Sequence, residues 1–294
     1  MMAWPHFVLP FEPSLIAELR DRDLVVVVES PDEIRAAVAA VRASDNRLDC
    51  IVLRWQQPLD ALEFAEDWAG VPLVVEAVSL GKLHRLSEQL DLIRRLELRV
   101  DLPLASAAQA VNVQMLASLG IPCRAVFGEK TDWDAATDLM TYALLGRCAH
   151  APIEPFAFIA EHFDQDRYRG WGEVSFDQPD RYLHVDRQGR VALFPSASSP
   201  SAFLHKDLRR LDDVTTLPAY QAAVERWRRH FLHPDDCARC PGWKLCRGQL
   251  AETVEDKSTC SAFFSEMLDV AEQYQTQQRS REPKRNKWLR SSPK

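Results

Sequence analysis

Apolar positions in the first half of the chain come in short, dense runs, separated by longer stretches in which they recur every three or four residues. Five such runs stand out at a spacing of about 25 residues: Leu24–Glu29, Cys50–Trp55, Pro72–Val78, Leu96–Pro103 and Pro122–Gly128. A run that is apolar without alternation is a strand buried on both faces, and helix-period segments between such strands are the connections of a parallel sheet. Helix boundaries carry their own signals. Ser30 suits an N-cap, Pro31 the first helical position, and acidic residues follow in the first turn; Ala69-Gly70 and Leu119-Gly120 supply stops. Repeated βα units predict an α/β fold, with a partial (β/α) barrel over residues 1–150.

Polar residues punctuate the ends of these runs. Glu29, Arg54, Glu76 and Asp101 each fall at or near the C-terminal end of a predicted strand, the edge at which α/β sheets and barrels build binding sites. Three readings stand side by side: charges tolerated where strands surface, a ligand or peptide site lining one mouth, or a general acid/base constellation. No histidine joins the four in the pattern, and His84 and His150 read as surface or loop residues. Cys50, Cys123 and Cys148 stand alone and are expected to be buried free thiols.

From Ala151 the rhythm changes. "RYLHVD", a turn at "RQGR" with Gly189, and "VALFP" predict a hairpin. Tyr220, Val224, Trp227 and Phe231 recur at helical spacing in "TLPAYQAAVERWRRHFL", and "SAFFSEMLDVAEQYQ" reads as a last helix following Cys260. This small α+β domain spans residues 151–274. The remaining residues, 275–294, hold seven Lys/Arg against one Glu, about +6, and leave about −13 for the rest of the chain, whose formal charge is −7 in total. They are expected to form a disordered basic tail.

Composition narrows the function. With 294 residues, 46% hydrophobic and 27% charged, the chain can bury a full core. No signal peptide or membrane-length apolar segment is visible, so a cytoplasmic, soluble protein without membrane partners is expected. The acidic body lacks a second basic stripe, and nothing points to nucleic acid. Only 10 glycines are present, with no phosphate loop, dinucleotide fingerprint or nucleophile elbow.

Four of the seven cysteines lie together as Cys237-x2-Cys240-x5-Cys246-x13-Cys260. In a reducing compartment such a group binds metal more often than it forms disulfides. Four thiolates suit a closed tetrahedral zinc or the four irons of a 4Fe-4S cluster, and spacing alone leaves both open. Pro241, Gly242, Trp243 and Leu245 would wrap the site, with Arg239, Lys244 and Arg247 offsetting anionic charge.

The order of a "YLHVDRQGRV" hairpin, an amphipathic helix, Cys-x2-Cys-x5-Cys and a later cysteine with a helix resembles the SPASM domain behind radical S-adenosylmethionine barrels, and the βα units look like the partial barrel of that superfamily. The resemblance implies that Cys237, Cys240, Cys246 and Cys260 hold one auxiliary 4Fe-4S cluster. The second auxiliary set is missing: "LFPSAS" and Leu250 stand where that set has cysteines. The Cys-x3-Cys-x2-Cys loop that supports reductive cleavage of S-adenosylmethionine is also missing. What this implies is a degenerate member, an iron-sulfur accessory protein that presents a substrate or relays electrons. Its partners would be a radical S-adenosylmethionine enzyme and a precursor peptide or protein. The alternative is an independent non-radical barrel enzyme, acting through Glu29, Arg54, Glu76 and Asp101, with a structural zinc or iron-sulfur site.

Overall fold

A computed structural model describes residues 5–162, 170–178, 180–193, 203–205, 214–229, 232, 236–246, 248, 250, 254 and 257–281. All five predicted strands are present: β2 (Asp23–Val28), β3 (Arg47–Pro58), β4 (Leu73–Ser79), β5 (Leu98–Pro103) and β6 (Cys123–Val126). Two more flank them, β1 (His6–Pro10) and the two-residue β7 (Ile153–Glu154). The hairpin is β8 (Tyr182–Val185) and β9 (Val191–Ala192), followed by β10 (Phe203–His205). One ten-stranded sheet holds them all, in the order β10-β9-β8-β1-β2-β3-β4-β5-β6-β7. Strands β1 to β7 run parallel to their neighbours and β8 runs parallel to β1, while the β8–β9 and β9–β10 pairs are antiparallel.

From β1 to β7 each strand is laid beside its predecessor in chain order. Right-handed crossovers that always advance in one direction place their helices on one face. The helices are α1 (Pro13–Glu18), α2 (Glu33–Ala43), α3 (Leu83–Glu88), α4 (Leu90–Ile93), α5 (Ala107–Ser118), α6 (Trp133–Leu145) and α7 (Phe156–His162). Their apolar residues, such as Ile34, Val113 and Leu139, share one core with Leu24, Ile51, Val75 and Val100 from one side of the sheet. Alternate strand residues point the other way. There a second, smaller cluster of Val8, Val25, Val27, Cys50, Val52, Val74 and Tyr182 forms without any helix. The protein is therefore α/β with a mostly parallel sheet, and the singly wound order is compatible with a partial barrel.

Local chemistry explains the helix starts. Ser106 Oγ accepts from the Gln109 N–H, and Asp132 Oδ1 from the Ala135 N–H at 3.0 Å, so α5 and α6 each begin on a side-chain cap. Helix α2 begins at Glu33 with Asp32 at its N-cap and no side-chain cap, which corrects the expectation of Ser30 as the cap and Pro31 as the first helical residue; Glu33 Oε2 accepts from the Ser30 N–H at 3.2 Å.

The C-terminal region consists of α8 (Gly172–Ser175), α9 (Pro218–Arg228), α10 (Asp236–Arg239), α11 (Trp243–Cys246) and the long α12 (Lys257–Arg281). Tyr220 and Val224 of α9 are buried as expected. The Trp227 side chain and Phe231 lie outside what is described, as do those of Lys244 and Arg247. Helix α12 differs from the expectation at both ends. It begins before Cys260 and carries that residue in its first turn. It also continues past Gln275 to Arg281, so the first part of the predicted disordered tail is helical. No Gly or Pro interrupts "AEQYQTQQRSR", and its Glu, Gln and Arg residues sustain a helix already anchored by packing. Residues 282–294 lie outside the described set. Among the described residues, no helix is long and apolar enough to cross a membrane.

Candidate functional site

The helix-free face of the sheet carries a lateral row of charge. Strand register pairs Arg54 with Glu76, Glu76 with Asp101, Asp101 with Arg124, and Arg124 with Glu154. Glu29 extends the row, since the preceding Val28 pairs with Leu53. All four expected residues thus lie side by side, and ion pairs link them. Arg54 lies 3.8 Å from Glu29 and 3.6 Å from Glu76; Arg124 Nη2 lies 3.8 Å from Glu76 and 2.7 Å from Asp101.

The two ends of this row differ. Asp101 has no exposed side-chain surface, and both its oxygens are engaged, by Arg99 Nε at 2.9 Å and Arg124 Nε at 2.8 Å. Arg99 also donates to the Val174 carbonyl at 2.8 Å. This end is a closed structural cluster. Glu29, Arg54 and Glu76 have side chains 40–49% exposed and ion pairs longer than a hydrogen bond, so this end remains open to a ligand. Burial raises the Glu76 carboxyl above its usual range, with the positive charge of Arg124 partly opposing it. Glu154 is also raised by burial, while its Oε2 accepts the Phe158 N–H at 2.9 Å.

Below the open end, Phe176 packs on the smaller apolar cluster. It adopts a left-handed conformation, φ 59°, at the C-cap of α8, which costs a non-glycine residue about 1–3 kcal/mol. Its ring lies edge-on to Tyr182 at 5.6 Å and beneath the Arg99 guanidinium. His184 shares this face through its register with Val8. Burial first, then the charge of Arg54, lowers its pKa to about 4. Register places His184 level with Val8, Val25 and Cys50, four residues short of Arg54 along β3, so it stands apart from the row. Arg124 and Glu154, which do join the row, had no signal in the sequence, because register is not a local property. Cys50 on this face has its thiol pushed up to about 12 by burial. Cys123, facing the helices, is likewise buried, but Cys148 is exposed, which corrects the expectation for that residue.

The second constellation lies at the other end of the chain. Cys237 in α10, Cys240 just after it, Cys246 at the end of α11 and Cys260 in α12 all line one cavity of about 30 Å³. Its other walls include Trp243, Leu250, Val254, Phe264 and Lys257. Lys257 sits one helical turn from Cys260 and was not expected; it supplies positive charge beside the thiols, as does the positive end of the α12 dipole. Backbone turns set the sulfurs: the Cys240 N–H donates to the Cys237 carbonyl at 3.2 Å and the Trp243 N–H to that of Cys240 at 3.1 Å. Gly242 admits α12 at this point, because a Cβ there would overlap the Phe264 side chain. Burial pushes the Cys246 thiol up to about 12, against hydrogen bonds from the Leu250 and Gly248 backbones. A cation in the cavity would reverse that balance and hold the sulfur as thiolate.

Among the described residues, no group of three or more His, Cys, Asp or Glu is arranged to hold a single metal ion. The four cysteines nevertheless line the same cavity. One segment joins the two constellations. The Trp171 N–H donates to the Leu245 carbonyl at 3.2 Å, its ring packs on Phe264 at 5.1 Å and on Phe127 at 5.2 Å, and Val174 three residues on holds Arg99. No family model, no curated protein and no solved structure matches the chain.

Proposed function

We propose that this chain is an iron-sulfur accessory protein, with a SPASM-like C-terminal region behind a partial barrel, that serves a radical S-adenosylmethionine enzyme acting on a peptide or protein. The observation that carries the reading is the convergence of Cys237, Cys240, Cys246 and Cys260 on one cavity. Four thiols on one cavity could give a 4Fe-4S cluster one cysteine for each iron, as the resemblance to the SPASM domain implies, or close a tetrahedral zinc site. A bound cluster supplies one-electron transfer. The chain's own residues would hold it through the four sulfurs, Lys257 and the backbone N–H groups at Gly248 and Leu250.

Two further observations favour an accessory role. The remaining cysteines do not form a second ligand set, since Cys50 and Cys123 belong to opposite faces of the sheet and Cys148 is exposed after α6. A four-cysteine cluster also leaves no open iron for S-adenosylmethionine. The open end of the charged row would then present substrate. Anaerobic reconstitution is expected to give about four irons per chain with visible charge-transfer absorption. Stoichiometric zinc without iron would overturn the reading in favour of a structural zinc site. The reduced, reconstituted chain is expected to release no 5'-deoxyadenosine; release above a protein-free control would show a competent radical enzyme instead.

A further inference from the structure

From β1 to β7 every crossover but one carries an α-helix. The exception joins β3 to β4, and that connection holds only two short 3-10 turns, Leu59–Ala61 and Glu66–Trp68. The helix layer is therefore interrupted beside α2. The space left there is a groove of about 510 Å³, with Asp32 and Arg35 on the α2 side, Glu63 on the crossover side, and Trp55 and Trp68 also in its lining.

The fold fixes these walls. Gln89 holds the crossover backbone, its Oε1 accepting from the Phe64 N–H at 2.9 Å and its Nε2 donating to the Leu62 carbonyl at 3.2 Å; with Leu62 and Phe64 buried, Glu63 between them is left exposed. An ion pair between Arg35 and Asp67 ties α2 to the crossover. Trp55 faces the helices because its neighbour Arg54 lies in the row on the other face. Its Nε1 is engaged by the Pro58 carbonyl at 3.0 Å, so the ring itself is the contact surface. Three groups keep unused capacity. The carboxylates of Asp32 and Glu63 make no hydrogen bond or ion pair among the described residues, and the indole N–H of Trp68, a residue 4% exposed, has no partner among them either.

These groups select the ligand. Arg35 is the one cation in the lining and is already matched by Asp67, so an anion would meet two unpaired carboxylates. A guanidinium suits the groove: its fork of N–H donors can serve two carboxylates, and its flat face stacks on indole, which a compact, strongly hydrated ammonium does less well. A guanidinium has no acceptor for the Trp68 N–H. The carbonyl of a peptide that carries the arginine supplies one.

We propose that this groove binds an arginine of a partner polypeptide, its guanidinium held by Asp32 and Glu63 against the tryptophans and a neighbouring peptide carbonyl taken by Trp68. The site lies on the helix-covered side of the sheet, opposite the charged row, and involves no cysteine. It stands whether or not the thiol cavity holds a cluster.

The test uses the full chain labelled with ¹⁵N-tryptophan and three probes: acetyl-Gly-Arg-Gly-amide, the same tripeptide with citrulline for arginine, and methylguanidinium. Citrulline keeps the shape and loses the charge. With the Trp68 indole resonance assigned through Trp68→Phe, the arginine tripeptide is expected to shift it saturably, and the other two probes to bind at least about tenfold more weakly. Asp32→Asn and Glu63→Gln alter exposed side chains, so both keep the fold, and each is expected to weaken the arginine tripeptide several-fold. Equal binding of the two tripeptides, no binding of either, or unchanged binding in both variants would overturn the proposal. Methylguanidinium binding as tightly as the arginine tripeptide would overturn the assignment to a polypeptide.

Discussion

The charged row and the cysteine cavity are both assembled from residues with chemical potential, yet they are held in opposite ways. The row lies on a continuous parallel ladder, where backbone pairing fixes each position and Asp101 completes its own partners. The cavity is framed by four-residue helices and turns, and its Cys246 thiol is held protonated by burial unless a cation joins it. The sheet therefore makes the locked end of its charge cluster independent of any ligand, whereas the four thiols share one cavity whose walls are short helices, turns and α12. The difference teaches that convergence by itself does not mark a functional site. What marks it is capacity left over after the fold has satisfied its own groups.

The sharpest break in this comparison is expected from Cys240→Ala. Iron per reconstituted chain should fall from about four to near none, while β1–β7 keeps its amide protection in hydrogen exchange; full iron retention would remove Cys240 from the ligand set. Next comes Asp101→Ala, which strands the largely buried Arg99 and Arg124. A loss of about 3–5 kcal/mol is expected in urea unfolding, with iron content unchanged. A loss below about 1 kcal/mol would mean that the closed end is not structural.

His184 gives the third test. Its folded pKa of about 4 lies below the ordinary histidine value of 6.5, so between these values the unfolded chain takes a proton that the folded chain refuses. Its contribution to stability is full above pH 6.5 and lost as pH falls toward 4, on the order of 3 kcal/mol in all. Glu76 and Glu154 have raised pKa values and act in the opposite direction over the acidic part of this window. The measurement is therefore the difference between the parent chain and His184→Gln, whose stability curves should converge as pH falls from 6.5 to 4. Parallel curves would place His184 in water. The smallest effect is expected from Gly242→Ala, about 1–3 kcal/mol through overpacking against Phe264. It should also lower iron retention, tying the fit of α12 to the cavity; unchanged stability and iron would show that α12 can shift without cost.

The sheet was legible where apolar runs were long. Strand β1 was not, because "HFVLP" is only five residues, following Pro5 and ending in Pro10, and two-residue β7 has no pattern to detect. Strand ends announced Glu29, Arg54, Glu76 and Asp101 because period 2 and the burial of neighbouring residues are local properties. Which of them the fold would consume was hidden, since Arg99 and Arg124 reach Asp101 only through strand order and register. The cysteine spacing singled out four thiols that do line one cavity. Lys257 and the overlap of Gly242 with Phe264 depend on how α12 is packed, and no spacing rule contains that.

Helix α12 also sets an order of events in time. Phe263, Phe264 and Met267 are buried against a core that includes Trp133 and Phe127, and Gln275 Nε2 donates to the Ala160 carbonyl at 3.0 Å. During synthesis, β1 to α7 emerge some 95 residues before α12 begins, which at about 5–20 residues per second leaves an apolar surface uncovered for several seconds or more. The segment that finally covers it is the same one that delivers Cys260. The sheet thus depends on α12 to cover this surface, and the same helix brings Cys260 to the thiol cavity.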